Sequence, residues 1–298
     1  MSTVQPEGVR LEAPGGPRTG ATALRIMVGA QLRRLREAAR VTPDQAGYEI
    51  RASRSKISRL EHGRVGFKDR DITDLLTLYG VTDEETRARF LAMARQGNSP
   101  DWWNEYADIL PDWFETYLGL EAASSLIRTF DLQFVHGLFQ TEDYARAVTT
   151  LHQGDTPQDV DRRVSLRIKR QELLSAADPP RVWSVMDEAA LRRPVGGRAV
   201  MRAQLAALAE VTQLPHVTLQ VVPFSRGAHA AASGSFTVLR FAEPDLPDAV
   251  YIEQLTSAIY LDRRDDVDHY LEVLNRLSTE ALTPEQSAAF LAEAAAQM

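Results

Sequence analysis

Two helix-start signals stand only eleven residues apart in the N-terminal part of this 298-residue chain. Thr42-Pro43-Asp44-Gln45 combines a capping hydroxyl, a proline suited to the first helical position and a glutamine that completes a capping box. Ser53 can cap a second helix, and Gly63 can end it. The spacing therefore predicts two short helices, at about 43–50 and 54–61, joined by a tight turn.

Apolar residues at helical spacing predict three further helices around this pair, at about 24–39, 69–79 and 83–96. Five helices in so short a stretch predict an all-α domain over residues 23–97. Residues 1–22 are rich in Gly, Pro, Thr and Ala, and we expect them to form a disordered leader.

The charge of the chain is divided unevenly. Residues 21–80 carry 12 Lys and Arg against 7 Asp and Glu, a net charge of +5, whereas residues 81–298 carry a net charge of −12. A basic unit attached to an acidic one indicates a nucleic-acid-binding head on a body with another task.

The composition excludes several classes of protein. The chain has no cysteine, which rules out a disulfide scaffold, a Cys-ligated zinc or iron–sulfur site and a thiol nucleophile. No apolar stretch approaches the roughly 20 residues that span a bilayer, and the N-terminus does not resemble a secretion signal. We therefore expect a cytoplasmic protein without membrane contact.

The pattern of residues 98–298 predicts a second domain, which differs from the helical head in containing strands. Short β-branched and apolar runs alternate with amphipathic helical patterns, which is typical of an α+β fold. We expect a mainly antiparallel sheet. The predicted strands are 125–135, 181–185, 217–222, 235–241 and 249–255, and the predicted helices are 141–151, 157–175, 198–213, 264–280 and 284–297.

The two short helices fit a helix-turn-helix, whose second helix enters the major groove of DNA. Ile57 and Leu60 keep core spacing on that helix, so its remaining positions are exposed. From this arrangement we predict base contacts by Arg54, Ser55 and Arg59, because arginine can bind guanine with two hydrogen bonds. The predicted phosphate contacts are Thr42, Ser53, Lys56, Arg64 and Lys68.

The head resembles the XRE/lambda-repressor-like helix-turn-helix family in residues 31–37, 41–46 and 53–63. The resemblance implies that Arg36 pairs with Glu61 as a structural tie between the first and third helices. The chain departs from the family at Pro43, where many members have a phosphate-contacting glutamine, and at Ala52, where many have glycine.

Residues of about 100–295 resemble the DUF5753 domain that follows such heads in actinobacterial regulators. The resemblance is carried by residues 137–146, 170–172, 186–191, 221–224, 227–229, 233–236 and 251–254, with His136 and Phe139 departing from the family pattern. It implies a regulator of the WhiJ type, associated with development or secondary metabolism. It also implies a small acidic partner protein of the DUF397 type.

We predict no enzyme, no catalytic residue, no metal and no cofactor. The six histidines are scattered, without HExxH spacing, and the chain has neither a GxSxG nor a GxxxxGK[ST] segment. His229 and Glu253 could support acid–base chemistry, but a loop histidine with one backbone hydrogen bond is the commoner arrangement.

A small-molecule pocket is a further hypothesis, with Trp102, Trp103, His229 and Glu253 as its candidate residues. The aromatic cluster at 102–117 could equally attach the head to the second domain.

The sequence favours a DNA-binding transcriptional regulator, which we expect to bind a palindromic operator as a homodimer and to sense a signal or partner through its second domain. Two alternatives stay open. One is an antitoxin-like partner binder that represses its own gene, and the other is an enzyme with a DNA-targeting head.

Overall fold

The computed structural model describes residues 20–151, 154–231, 234–244 and 246–298. These residues form two compact units. The first contains the described residues up to Asn104 together with those of 242–246, and the second runs over Glu105–Phe241 and Pro247–Met298. Most of the predicted leader falls on residues 1–19, which lie outside the described part, whereas Ala21 and Thr22 already belong to a helix.

The first unit is helical, as predicted. Its helices are α1 (Ala21–Ala38), α2 (Pro43–Glu49), α3 (Arg54–Glu61), α4 (Asp69–Leu78) and α5 (Glu84–Gly97). Their starts follow from local capping. The Thr42 hydroxyl accepts a hydrogen bond from the Gln45 backbone N at 3.2 Å, and the Thr42 backbone N donates to Gln45 Oε1 at 2.8 Å. This reciprocal pair is the capping box expected from the sequence.

The start of α1 is capped by a residue far away in the sequence. Asp101 Oδ1 accepts from the Ala21 backbone N at 3.0 Å, and Asp101 Oδ2 accepts from the Thr22 backbone N at 3.2 Å. A carboxylate at a helix N-terminus satisfies unpaired N–H groups and opposes the positive end of the helix dipole. This contact extends α1 to Ala21, before the start predicted from its apolar residues.

The second unit combines helices with one sheet. Its helices are α6 (Asp112–Ala123), α7 (Glu142–Thr149), α8 (Pro157–Arg170), α9 (Glu188–Arg192), α10 (Arg198–Val211), α11 (Arg264–Glu280) and α12 (Pro284–Gln297). Its strands are β1 (Leu126–Asp131), β2 (Arg181–Asp187), β3 (Val217–Val222), β4 (Phe236–Arg240), β5 (Ala249–Glu253) and β6 (Ala258–Leu261). Three of these elements, α6, α9 and β6, were not predicted from the sequence.

The expectation of a mainly antiparallel sheet is wrong. The strand order is β3-β2-β1-β4-β5-β6, and the sheet is mixed, because β3, β2 and β1 run parallel to one another. Only the pairings from β1 through β4 and β5 to β6 are antiparallel. The reason is the connections: α7 and α8 lie between β1 and β2, and α9 and α10 lie between β2 and β3. Such helical crossovers return the chain to the same end of the sheet.

The two faces of the sheet are different. Phe130, Val185 and Val250 point to one face and pack with Leu274 and Leu277 of α11 in an apolar core. Because side chains alternate along a strand, Thr129 and Asp131 point to the opposite face. The strand directions also place the C-terminal ends of β1, β2, β3 and β5 at the same end of the sheet.

Among the helices of the described residues, none combines the length and the apolar character needed to cross a membrane.

Candidate nucleic-acid interface

The turn between α2 and α3 is tight enough to hold the two helices in one arrangement. The Ala52 backbone N donates to the Gly47 carbonyl O at 2.7 Å, and a Cβ atom on Gly47 would lie 2.7 Å from the Ala52 carbonyl O. Arg51 has φ +52°, in the left-handed region that favours glycine. The sequence comparison drew attention to Ala52, but the structure places the unusual backbone conformation at Arg51.

Helix α3 presents one apolar and one polar face. Ile57 and Leu60 are each 1% exposed, whereas the predicted base-reading residues Arg54, Ser55 and Arg59 are exposed. The Ser53 hydroxyl caps the helix by accepting from the Lys56 backbone N at 3.2 Å. The structure therefore brings the three predicted base-reading side chains to the open face of one short helix.

Four cations on α3 or just after it lack acidic partners. Among the residues that the structure describes, no carboxylate oxygen lies within 4.0 Å of the charged nitrogens of Arg54, Arg59, Arg64 or Lys68. Three other exposed arginines of the head are paired. The pairs are Arg33 with Glu37 at 2.9 Å, Arg70 with Asp74 at 3.5 Å and Arg95 with Asp69 at 2.7 Å. Positive charge is thus left uncompensated around α3, where a polyanion can take it up.

Lys56 differs from the other predicted phosphate contacts. Its Nζ lies 2.6 Å from Oδ2 of Asp71, a buried residue of α4, and its side chain is only 30% exposed. Lys56 therefore ties α3 to α4 and would have to leave Asp71 to reach a phosphate. Thr42, Ser53, Arg64 and Lys68 are exposed, with Thr42 and Ser53 at the N-termini of α2 and α3.

Arg36 and Glu61 join α1 to α3. The Arg36 Nε and Nη2 atoms donate to the two carboxylate oxygens of Glu61 at 2.5 and 3.0 Å, and Arg36 Nη1 donates to the Val41 carbonyl O at 3.0 Å. Both side chains are buried, and hydrogen bonding to Glu61 raises the pKa of Arg36. The helices approach closely because α1 has Gly29 here, where a Cβ would lie 2.4 Å from the Leu60 carbonyl O.

Comparison with known families gives two matches. Residues 28–90 match a helix-turn-helix domain, and residues 114–293 match a domain of unknown function, DUF5753. The chain belongs to the DUF5753 family. It combines this domain with a DNA-binding helix-turn-helix head, as expected from the resemblances, and the head points to a regulator rather than an enzyme. No curated protein and no solved structure matches the chain.

The candidate pocket residues are distributed over both units. Trp102 and Trp103 belong to the first unit, where their rings meet edge to face at 5.5 Å, with Trp103 buried and Trp102 exposed. His229 and Glu253 belong to the DUF5753 domain and have separate partners. His229 Nε2 lies 3.4 Å from Asp187 Oδ2, and Glu253 accepts a hydrogen bond from the Tyr251 hydroxyl at 2.9 Å.

The sequence interpretation missed a polar cluster of the DUF5753 domain. The Tyr144 hydroxyl and the Gln140 amide both bind the backbone of Val135, beside His136, and Gln140 accepts a hydrogen bond from Arg167 of α8. The charge of Arg170 acts on Asp131, at the end of β1, and on His136. One signal was available, because Arg163, Arg167 and Arg170 recur at helical spacing on α8 and so share a face. A basic stripe of this kind usually faces solvent, so the sequence did not identify Arg167 and Arg170 as interior residues.

Proposed function

We propose that this DUF5753 protein is a sequence-specific transcriptional regulator whose α3 reads bases in the major groove of DNA. The family match of the head supports DNA binding. The observation that carries the finer proposal is that Arg54 and Arg59, both exposed on the open face of α3, have no acidic partner among the described residues, whereas Arg33, Arg70 and Arg95 of the same head are paired. Side chains that keep no internal partner are free to bind DNA.

The roles that we propose differ along the surface. Arg54, Ser55 and Arg59 contact base edges, and the arginines are suited to guanine. Thr42, Ser53, Arg64 and Lys68 contact phosphates and hold the helix in register, with Lys56 joining them if DNA displaces Asp71.

We further propose that the protein binds a palindromic operator as a homodimer, since two heads read more sequence than one. In this proposal the DUF5753 domain dimerises or binds a signal or a partner. The resemblance to WhiJ-type regulators supports two additional proposals: a DUF397-type partner, and target genes of development or secondary metabolism.

The decisive experiment is affinity purification of genomic DNA by the full-length protein at two salt concentrations, followed by sequencing. Arg54→Ala tests base reading, and Arg33→Ala is the matched control, because Arg33 is also exposed on the head but is paired with Glu37. We expect an enriched motif that survives the higher salt, disappears with Arg54→Ala and persists with Arg33→Ala.

On that motif, Arg54→Ala should cost about 1–3 kcal/mol of binding free energy, the usual contribution of a bidentate base contact. Equal enrichment by both variants would show that α3 does not read bases through Arg54. The absence of any motif would contradict sequence-specific binding by the isolated protein.

A further inference from the structure

Arg167 of α8 is a partly buried cation without a counter-ion. Its Nη1 donates to Gln140 Oε1 at 2.7 Å, and Gln140 is uncharged. Within the described ranges, no carboxylate oxygen lies within 4.0 Å of its guanidinium group. Arg170, one turn further along α8, is bound by Glu121, with Nη2 2.6 Å from Oε1 and a second bond from Nε to Oε2. The two neighbouring arginines are therefore in opposite situations.

The environment of Arg167 is unfavourable for its charge. Burial, and then the positive charge of Arg170, lower the pKa of Arg167 to about 10, while Glu253 and Tyr144 raise it only by longer-range attraction. A guanidinium group that is surrounded by protein and retains free N–H donors lacks the interactions that normally offset its desolvation. An anion placed against those donors would supply them.

Asp131 and Tyr144 are further polar groups of this region. Asp131 ends β1, keeps some exposure and has one side-chain hydrogen bond, from the Thr129 hydroxyl at 2.7 Å. The Tyr144 hydroxyl accepts from the Val135 backbone N at 3.1 Å, so its own proton remains available for donation. Val135 also accepts from Gln140 Nε2 at its carbonyl O, at 2.7 Å, and Gln140 is the partner of Arg167, so Tyr144 and Arg167 are joined through Val135 and Gln140.

His136 adds a neutral donor. It is buried, and burial together with the charges of Arg170 and Arg167 lowers its pKa to about 3, so the ring is uncharged at neutral pH. Its Nδ1 accepts from the Leu138 backbone N at 3.4 Å, which assigns the ring proton to Nε2. The groups around Arg167 thus comprise one free cation, two neutral donors and one carboxyl group.

The position of the cluster in the fold is a common one for ligands. It lies at the C-terminal end of β1, where parallel strands meet helices that cross over the sheet. Open α/β sheets bind their ligands outside the C-terminal ends of strands. Arg167 and Asp131 both keep partial exposure to solvent.

We propose that this cluster is a binding site for a small organic anion. A carboxylate or phosphate group takes the free donors of Arg167, Tyr144 and His136 assist as neutral donors, and Asp131 binds a hydroxyl or amine of the same molecule. That this ligand is the regulatory signal rests on the function proposed above, whereas its binding does not.

The test is thermal unfolding of the full-length protein without DNA in sodium acetate, benzoate or phosphate, each against sodium chloride at equal ionic strength. Arg167→Met removes the site. Arg162→Met is the matched control, because Arg162 lies on the same helix but is paired with Asp108. We expect at least one anion to raise the Tm of the wild type and the control saturably. The apparent affinity should fall at least tenfold in Arg167→Met.

The anion that acts distinguishes a carboxylate from a phosphate ligand. An equal shift in Arg167→Met, or no shift beyond chloride with any of the three anions, would overturn the proposal.

A second measurement needs no ligand. If Arg167 serves binding, Arg167→Met should unfold at a Tm no lower than the wild type, whereas Arg170→Met, which strands Glu121, should unfold at a clearly lower one. A fall in Arg167→Met as large as in Arg170→Met would make Arg167 a structural residue and overturn the proposal. Because no DNA is present, these outcomes are independent of the DNA-binding proposal.

Discussion

Arginine residues of this chain occupy three different environments, and the environment decides what each can do. Arg36 is buried and bound by Glu61 with two hydrogen bonds, which makes it a structural residue. Arg54 is exposed without an acidic partner among the described residues and is free for DNA. Arg167 is partly buried with only an uncharged partner. The surroundings thus make Arg36 a structural residue, and they are the reason for the proposed DNA contact of Arg54 and ligand contact of Arg167.

Arg51 gives a prediction about backbone strain. Its φ of +52° costs a residue with a Cβ about 1–2 kcal/mol, a cost that glycine avoids. Glycine also gains entropy in the unfolded chain, and this offsets part of the benefit. We therefore expect Arg51→Gly to raise the free energy of unfolding by only about 0.5–1 kcal/mol. Arg51→Ala is the control, since it removes the charge and keeps the strain. Denaturant unfolding that gave Arg51→Gly no advantage over Arg51→Ala would contradict this explanation.

Asp131 gives a prediction about pH. Burial raises its pKa to about 7, against the opposing effects of the Thr129 hydroxyl and the Arg170 charge. The unfolded value is about 3.9. Between these values the folded state binds more protons than the unfolded state, so this carboxyl group makes the protein less stable as the pH rises from about 4 to 7. We expect Asp131→Asn to gain stability relative to the wild type over that interval, by at most about 1.4 kcal/mol per unit of pKa shift.

The measurement is the difference in unfolding free energy between Asp131→Asn and the wild type at pH 5 and at pH 8. His136 has the opposite effect, because its lowered pKa makes the protein more stable as the pH rises towards 6.5, but it is present in both proteins and cancels in the difference. Asp143→Asn, an exposed change on α7, controls for the substitution itself. A difference that is the same at both pH values would show that Asp131 does not titrate as described.

The tie between α1 and α3 holds in place the helix that we propose to read DNA. Glu61→Ala would leave Arg36 buried without its partner, and breaking a buried pair from one side costs about 3–5 kcal/mol. We expect a lower Tm for Glu61→Ala and recovery in the double variant Arg36→Met/Glu61→Leu. Glu85→Ala is the control on an exposed pair with Arg89 in α5, away from the tie, and its effect should stay within about 1 kcal/mol. An unchanged Tm for Glu61→Ala would refute the structural role.

The bounds of some elements agree with those predicted from the sequence, whereas other elements were not predicted at all. α3, α11 and α12 have the predicted bounds, because capping residues and apolar spacing are local properties of the chain. α6 was missed since it begins after Pro111 without a side-chain cap and carries aromatic residues that obscure an apolar stripe. β6 was missed because it is short, partly exposed and paired only with β5.

The whole molecule joins a basic head to an acidic domain, and the proposed assembly contains two such molecules on one operator. If two heads read one palindrome, each operator should bind two chains, with half-site centres about 34–36 Å apart. Mass photometry of the protein with operator DNA measures this stoichiometry, and scrambled DNA of equal length is the control. A saturated complex with one chain per operator would rule out the dimer proposal.

The exposed face of α3 could be predicted from the sequence because its residues lie in one short segment. Ser53, Arg54, Ser55 and Arg59 belong to one helix with a clear start, and helical periodicity alone separates them from Ile57 and Leu60. Their roles at DNA remain predictions, but their common exposed face follows from local rules. Only Lys56 needed the structure, because Asp71, its partner, comes from α4.

The helical head, most helix starts and the family of the second domain follow from the order of residues along the chain. The strand directions, the capping of α1 by Asp101 and the link from Tyr144 through Val135 and Gln140 to Arg167 became visible in the folded protein. The physical reason is the range of the interactions. Capping and periodicity act within a few residues, whereas pairing and burial depend on which distant segments the fold brings together.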